Sequence, residues 1–225
     1  MRLVVTGGSG FIGTNFIRHI SEKYPTYQIV NIDKLSYSGN RENLKYLELK
    51  PNYSFMQVDI CDKDSLSTII KKNDVIVNFA AESHVDNSIS NSSIFIETNI
   101  VGTHNILEVA RINEARLFLQ ISTDEVYGSL EFDSPSSKEG DILNPSSPYS
   151  ASKASAELLC VANRITFDQP IIITRSSNNF GPYQYPEKII PLFVTNLMEG
   201  RRSPLYGDRK NVLNWSYVED NCSAI

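Results

Sequence analysis

Eight residues near the N-terminus, Thr6-Gly7-Gly8-Ser9-Gly10-Phe11-Ile12-Gly13, restrict the fold of this chain more than any other stretch. They follow the β-branched run Leu3–Thr6 and open a segment of helical periodicity, from about Phe11 to Tyr24, that Pro25 stops. Glycines at Gly7, Gly10 and Gly13 suit a strand-to-helix turn built for a dinucleotide. Gly7 makes the tight turn, Gly10 lets backbone approach a pyrophosphate at the helix N-terminus, and Gly13 lets helix pack on strand. A turn that merely needs small residues competes with this account until Asp33 is added. It lies twenty residues beyond Gly13, at the end of the second apolar run. A carboxylate there accepts hydrogen bonds from the adenosine ribose hydroxyls and repels a 2′-phosphate, which favours NAD over NADP. Asp59, after the third run, could meet the adenine amine in the same way, or could cap a helix starting near Asp62.

The same rhythm continues. Short apolar runs recur at Tyr53–Val58, Val75–Phe79, Leu117–Ser122 and Ile171–Thr174, after the first two at Leu3–Thr6 and Ile29–Ile32. Segments of helical periodicity separate them, including a long one from about Ser92 to Ile112. This alternation predicts an α/β fold with a doubly wound parallel sheet, a dinucleotide-binding Rossmann architecture. A polar, Pro/Ser-rich stretch from about Leu130 to Pro148 reads as a surface loop. After Arg175 the rhythm breaks, with a further helix from about Glu187. Residues 1–175 are therefore expected to form the cofactor domain, and 176–225 the start of a smaller, incomplete substrate lobe.

Composition excludes several classes of function. At 225 residues and 41% hydrophobic the chain can bury a sizeable core. A formal net charge of −5, with scattered Lys and Arg, offers no track for a phosphate backbone, so nucleic acid is not expected as a partner. Cys61, Cys160 and Cys222 are odd in number and widely spaced, which argues against a disulfide framework or a zinc site and for a reducing cytoplasm. The chain enters its first strand immediately after Met1-Arg2, and no apolar run approaches the roughly 18 residues of a membrane span, so neither signal peptide nor membrane anchorage is expected. The segment Ser92–Ile112 and the helix beginning at Tyr149 are apolar on more than one face, with Ala151, Leu158, Leu159 and Ile165 spread around the latter. A homodimer is expected to cover the second face.

Candidate chemistry gathers in two places. Tyr149 and Lys153 are four apart on a helix, so their Cβ atoms lie about 6 Å apart on one face. A neighbouring ammonium and a positive nicotinamide ring would both favour the phenolate, making Tyr149 a usable base. Thr123, Asp124 and Glu125 close the fifth run, where residues reach the crevice at the carboxyl edge of a sheet. Two adjacent carboxyls there are expected to have their pKa values pushed apart, one becoming an acid and one a base. A solvated loop pair is the alternative, and Thr123 could be structural.

With these residues in view, the chain resembles the extended short-chain dehydrogenase/reductase family, and within it the dTDP-glucose 4,6-dehydratases. The resemblance rests on T-G-G-S-G-F-I-G at Thr6–Gly13, I-D-K-L-S-Y-S-G-N at Ile32–Asn40, A-A-E-S-H-V-D at Ala80–Asp86 and E-T-N-I-V-G-T at Glu97–Thr103. It continues through S-T-D-E-V-Y-G at Ser122–Gly128, P-Y-S-A-S-K at Pro148–Lys153, S-N-N-F-G-P-Y at Ser177–Tyr183 and Y-V-E-D at Tyr217–Asp220. The resemblance implies conversion of dTDP-glucose to dTDP-4-keto-6-deoxyglucose. Tyr149 would take the 4-hydroxyl proton, Thr123 would bind that oxygen, Glu125 would remove the carbon-5 proton and Asp124 would protonate the leaving 6-hydroxyl. It also implies NAD held by Gly7, Gly10, Phe11, Ile12, Gly13, Asp33, Lys34, Asp59, Ile60, Ala80, Ala81, Thr98, Tyr149, Lys153 and Asn179. Ser83, Thr123, Asn178, Lys188, Pro204 and Tyr206 match substrate-side positions.

Two departures stand out. The family usually has R-D-W before Y-V-E-D, its arginine on the substrate diphosphate, where this chain has Leu213-Asn214-Trp215. A guanidinium clamp is lost there, and Arg209 is the nearby candidate to replace it. Family members also continue for about a hundred residues more, consistent with two lobes. The rivals to the dehydratase reading are a sibling nucleotide-sugar epimerase or decarboxylase and a truncated NAD-binding pseudoenzyme.

Overall fold

The computed structural model describes residues 1–130, 134–204 and 213–225. Six strands, β1 (Arg2–Thr6), β2 (Gln28–Ile32), β3 (Tyr53–Met56), β4 (Val75–Asn78), β5 (Leu117–Thr123) and β6 (Ile171–Ser176), form one sheet in the order β3-β2-β1-β4-β5-β6. Every pairing in it is parallel. The connections run outward in opposite directions from β1 and β4, so a crevice opens between their carboxyl ends. The doubly wound sheet read from the sequence is therefore the one observed.

Successive residues serve opposite faces, as the two-residue period of a strand demands. Val4, Ile76 and Phe118 pack on one face with Ile106 and Leu107, whereas Leu3, Val5, Val77 and Leu119 pack on the other with Phe16 and Ile17. Both faces are covered by helices, which is why these strands read as continuous apolar runs rather than alternating ones. The helices are α1 (Phe11–Lys23), α2 (Lys63–Ile69), α3 (Val85–Ser90), α4 (Ser93–Phe95), α5 (Thr103–Ile112) and α6 (Pro148–Phe167). A 3-10 helix spans Arg41–Leu47 and a π-helical segment spans Ile96–Gly102.

Several boundaries differ from the sequence reading. The third and fourth strands stop at Met56 and Asn78, before Val58 and Phe79, and β6 continues to Ser176. The long helix expected over Ser92–Ile112 is α4, the π segment and α5 in succession. Packing against Ile60 constrains that segment: a Cβ added at Gly102 would lie 2.5 Å from Ile60 Cδ1. Such a close approach leaves no trace in apolar periodicity. Helix α6 starts one residue early, at Pro148, because Ser147 and Ser150 form a reciprocal capping box and proline suits the first helical position.

Beyond the sheet, β7 (Asn178–Phe180) pairs in parallel with β8 (Trp215–Tyr217). Helix α7 (Ile189–Met198) starts two residues after Glu187, with Lys188 at its N-cap. Helix α8 (Val218–Ala224) follows β8 directly and returns Val218 and Cys222 to the cluster that holds Phe16 and Ile17 of α1.

Candidate active site

One cavity runs along the carboxyl edge of the sheet, from the end of β2 to the start of α7. All fifteen residues named above as cofactor contacts line it. At its floor, Gly7 has φ +69°, and a Cβ there would lie 2.5 Å from the Ala80 nitrogen. A Cβ on Gly13 would come within 2.3 Å of the Gly7 oxygen, whereas one on Gly10 would meet only that oxygen, at 3.3 Å. Gly10 is the N-cap of α1 and no side chain caps the helix, so the first-turn N–H groups are left for a ligand. Together with the positive end of the helix dipole this is a cradle for a pyrophosphate.

Asp33 is 8% exposed and accepts hydrogen bonds from the backbone N–H of Ser9 (2.9 Å) and of Leu35 (2.8 Å). Burial raises its pKa, and these N–H groups and Lys34 act against the rise. A carboxylate has about four lone-pair positions, so acceptor capacity remains for ribose hydroxyls. Lys34 Nζ donates to Thr98 Oγ1 (3.2 Å) and stands 3.5 Å from Glu82 Oε1 and 3.7 Å from Asp59 Oδ2. Asp59 is not the cap of α2. Asp62 is, accepting from Ser65 N at 3.0 Å, while Asp59 accepts from Cys61 N and keeps its other oxygen at the cavity. At the far end, Asn179 Nδ2 donates to Ser176 Oγ and the Ser177 carbonyl. An uncapped helix end and the remaining acceptor positions of Asp33 are what a bound dinucleotide would satisfy. The residues present fit NAD.

The chemical groups come from β5 and α6. Strand β5 ends at Thr123, which caps a 3-10 turn over Asp124–Tyr127 by accepting from Glu125 N (3.2 Å) and donates to Asp124 Oδ1 (3.3 Å). Tyr149, in the first turn of α6, is 8% exposed, its ring edge-on to Phe95 at 6.3 Å. Lys153, one turn on, donates from Nζ to the Ile121 carbonyl at 2.7 Å. Thr123, Glu125, Tyr149 and Lys153 line the cavity together. Asp124 is half-buried beside Thr123 and is not part of the cavity wall.

Burial raises both carboxyls, with Asp124 adding to the rise of Glu125 and Lys188 opposing it, and with the Thr123 hydrogen bond opposing that of Asp124. The phenol departs from the sequence expectation: Lys153 does not govern it. Burial raises the Tyr149 pKa, Glu125 and Asp124 raise it further, and Thr123 acts against them. Burial also lowers Lys153 to about 8, with Glu157 and Cys160 acting the other way. The shared reason is desolvation, which disfavours every charged form in a closed site and which residue spacing does not report.

Of the substrate-side residues, Ser83, Thr123, Asn178 and Lys188 line the cavity, Lys188 Nζ donating to the Ser83 carbonyl at 3.0 Å. Pro204 does not: it is exposed and away from the lining, and proline offered no polar group to be drawn there. Tyr206 and Arg209 lie outside the described residues. Leu213 is half-exposed and off the cavity, while Trp215 lines it. The sequence reading missed Glu82, Glu187 and Trp215 as lining residues. Glu82 sat inside a motif it had singled out, and Glu187 accepts from the Tyr37 hydroxyl at 2.8 Å, a contact across 150 positions with no local signal.

Comparison with known proteins places this geometry. The family model described as GDP-mannose 4,6 dehydratase matches residues 4–225. The low-salt glycan biosynthesis protein Agl12 of Haloferax volcanii is 48% identical over 226 residues, covering 100% of this chain and 72% of its own length. A dTDP-glucose 4,6-dehydratase of Haemophilus influenzae is 46% identical over 235 residues, covering 100% and 69%. Among solved structures, DesIV, a dTDP-glucose 4,6-dehydratase from Streptomyces venezuelae with NAD and TYD bound, superposes with a TM-score of 0.95 at 47% identity. That match covers 99% of this chain and 70% of DesIV.

Proposed function

The chain belongs to the GDP-mannose 4,6 dehydratase family, and from that premise we propose that it is an NAD-dependent dTDP-glucose 4,6-dehydratase, a hydro-lyase that forms dTDP-4-keto-6-deoxyglucose with loss of one water. The observation that carries this reading is Glu125 on the cavity wall with Tyr149 and Lys153, on a turn leaving β5 that sets Asp124 next to it beside Thr123. An epimerase leaves the 6-hydroxyl in place and has no use for such a pair.

The chemistry NAD supplies when bound is reversible storage of a hydride between carbon 4 and carbon 6 of the hexose. Tyr149 accepts the proton of the 4-hydroxyl, and Thr123 donates a hydrogen bond to the oxygen that becomes the ketone. In the chain alone burial keeps Tyr149 protonated, so the phenolate depends on positive charge brought against it, and an oxidised nicotinamide carries such a charge. Glu125, a carboxylate of raised pKa and so a stronger base than usual, removes the acidified proton of carbon 5. Asp124, also raised, gives its proton to the departing 6-hydroxyl. Ser83, Asn178 and Lys188 are proposed to hold the nucleotide sugar, and Lys188 offers the cation for its phosphates. Pro204 and Tyr206 remain proposed substrate contacts from the resemblance alone.

We further propose that residues 1–175 are the cofactor domain and that the substrate lobe begins within 176–225, on the change of rhythm after β6, with α8 packing back onto the core of the cofactor domain. A homodimer is proposed on the exposure of Ile96, Val101, Leu158 and Ile165, apolar residues on the π segment and α6. Among the described residues no helix is long and apolar enough to cross a membrane, and the three cysteines are free, which supports a reducing cytoplasm.

The deciding experiment incubates the chain with dTDP-glucose and follows the product by mass, with Glu125→Gln beside it. Loss of one water by the wild type and not by the variant is the expected result. Retention of NAD with no water lost would instead point to another nucleotide sugar or to a chain that binds NAD without turnover.

A further inference from the structure

Glu157 is 1% exposed inside α6 and has no part in the chemistry above. A carboxylate so buried requires a matched partner. That partner is Arg175 of β6, whose Nε donates to both carboxylate oxygens (3.1 and 3.0 Å) and whose Nη2 donates to Oε2 at 2.6 Å. The remaining nitrogen, Nη1, points elsewhere. It donates to the hydroxyl of Tyr127 at 2.5 Å and to the Glu139 carbonyl at 3.0 Å.

These contacts fall on the elements that carry the chemistry. Tyr127 closes the Asp124–Tyr127 turn, and Glu157 lies one helical turn beyond Lys153 on α6. Among the described residues the turn is also held by Val126, which is fully buried, and by the Tyr127 ring, over which Arg175 Cζ stacks at 4.9 Å. Asn144 N donates to the Val126 carbonyl at 3.0 Å, and Gly128, at φ +86°, ends it. From this geometry we infer that Arg175 is a positioning residue for the elimination step: by bracing Tyr127 against Glu157 it holds Asp124 and Glu125 in register with the sugar oxidised beside Tyr149. The inference rests on the dehydratase reading. An arginine suits the task because its planar fork serves Glu157 and Tyr127 in opposite directions at once, which a lysine cannot do in fixed geometry. Loss of the brace also leaves Glu157 unpaired one turn from Lys153, where it competes with the Ile121 carbonyl for that ammonium.

The test uses the NAD-loaded full chain, with Arg175→Lys and Tyr127→Leu. Tyr127→Leu removes both the hydroxyl and the ring over which Arg175 stacks at 4.9 Å while leaving Arg175 and Glu157 paired, so it decides the matter even if the arginine variant fails to fold. In both folded variants kcat for water loss is expected to fall, about tenfold or more, the scale of a small misplacement of reacting groups, while KM and affinity for dTDP hold. Reduced-nicotinamide absorbance should build up during turnover, since oxidation then outruns elimination. Independently of activity, hydrogen exchange at the amides of Glu125–Tyr127 should quicken while that of β5 stays as in wild type. Unchanged exchange and kcat in folded Tyr127→Leu would overturn the inference, as would equal loss of NAD and dTDP binding with no reduced species. If the wild type released no water from dTDP-glucose, the functional reading would fail by itself, and the exchange rates would still decide for or against the brace.

Discussion

The ammonium of Lys153 donates to the carbonyl oxygen of Ile121 at 2.7 Å, which pins α6 to β5 two residues before that strand delivers Thr123. A single buried cation thus sets the spacing between the two elements that carry the chemical groups. It does so while desolvated, and that has a cost that varies with pH.

Between a pKa of about 8 in the fold and its ordinary 10.5, Lys153 binds fewer protons folded than unfolded, so its contribution to stability rises with pH across that window. Below the folded value the cost is present in full, on the order of 3 kcal/mol. Lys153→Met lacks this titration. In urea unfolding, the stability of the variant minus that of wild type should be largest near neutral pH and should narrow by roughly 2 kcal/mol toward about pH 10. A difference that stays constant with pH would show that Lys153 is solvated in the native state.

Glu125 must be ionised to act as the base, and burial with Asp124 beside it raises its pKa. The acid limb of kcat/KM is therefore expected above the ordinary carboxylate range. Glu125→Gln should lower kcat by about 100-fold or more with dTDP-glucose binding retained. Asp124→Asn removes the proton donor to the departing 6-hydroxyl and should lower kcat for water loss with dTDP-glucose binding retained. Unchanged turnover in Asp124→Asn would take the acid role away from Asp124.

The three glycines of the first turn should respond differently to alanine. Gly13→Ala drives a Cβ to 2.3 Å from the Gly7 oxygen, and Gly7→Ala adds strain at φ +69°, so both should unfold at lower temperature, by an amount reflecting about 1–3 kcal/mol. Gly10→Ala meets only one atom, at 3.3 Å, and should keep its Tm while its methyl sits where backbone must approach the pyrophosphate. NAD titration by calorimetry combined with thermal unfolding tells the cases apart. Unaltered NAD affinity in Gly10→Ala would place the pyrophosphate elsewhere.

Leu158 and Ile165 are 61% and 76% exposed on α6, on the side away from the sheet. If a second copy covers them, light scattering at micromolar concentration should give twice the chain mass, and Leu158→Asp should shift it toward the monomer with the fold intact. A wild-type monomer under those conditions would leave this face without its proposed partner.

Much of the architecture was legible in the sequence because strands, turns and helix ends answer to short-range physics. Short apolar runs marked all six strands, and glycine spacing marked the turn at Gly7–Gly13. The Tyr149 and Lys153 spacing fixed their shared helical face. What stayed hidden depended on groups far apart in the chain. The π segment at Ile96–Gly102, the Tyr37–Glu187 contact and the Arg175–Glu157–Tyr127 brace join elements that only folding brings together. The protonation states belong with these. Side-by-side carboxyls suggested pKa values pushed apart and a lysine near a tyrosine suggested an acidified phenol; burial moved both carboxyls up, Tyr149 up and Lys153 down. The sequence by itself determined which groups are present and which element carries each. Only the tertiary structure decided their distances and how much water they retain, because desolvation is a property of the enclosing volume and not of residue order.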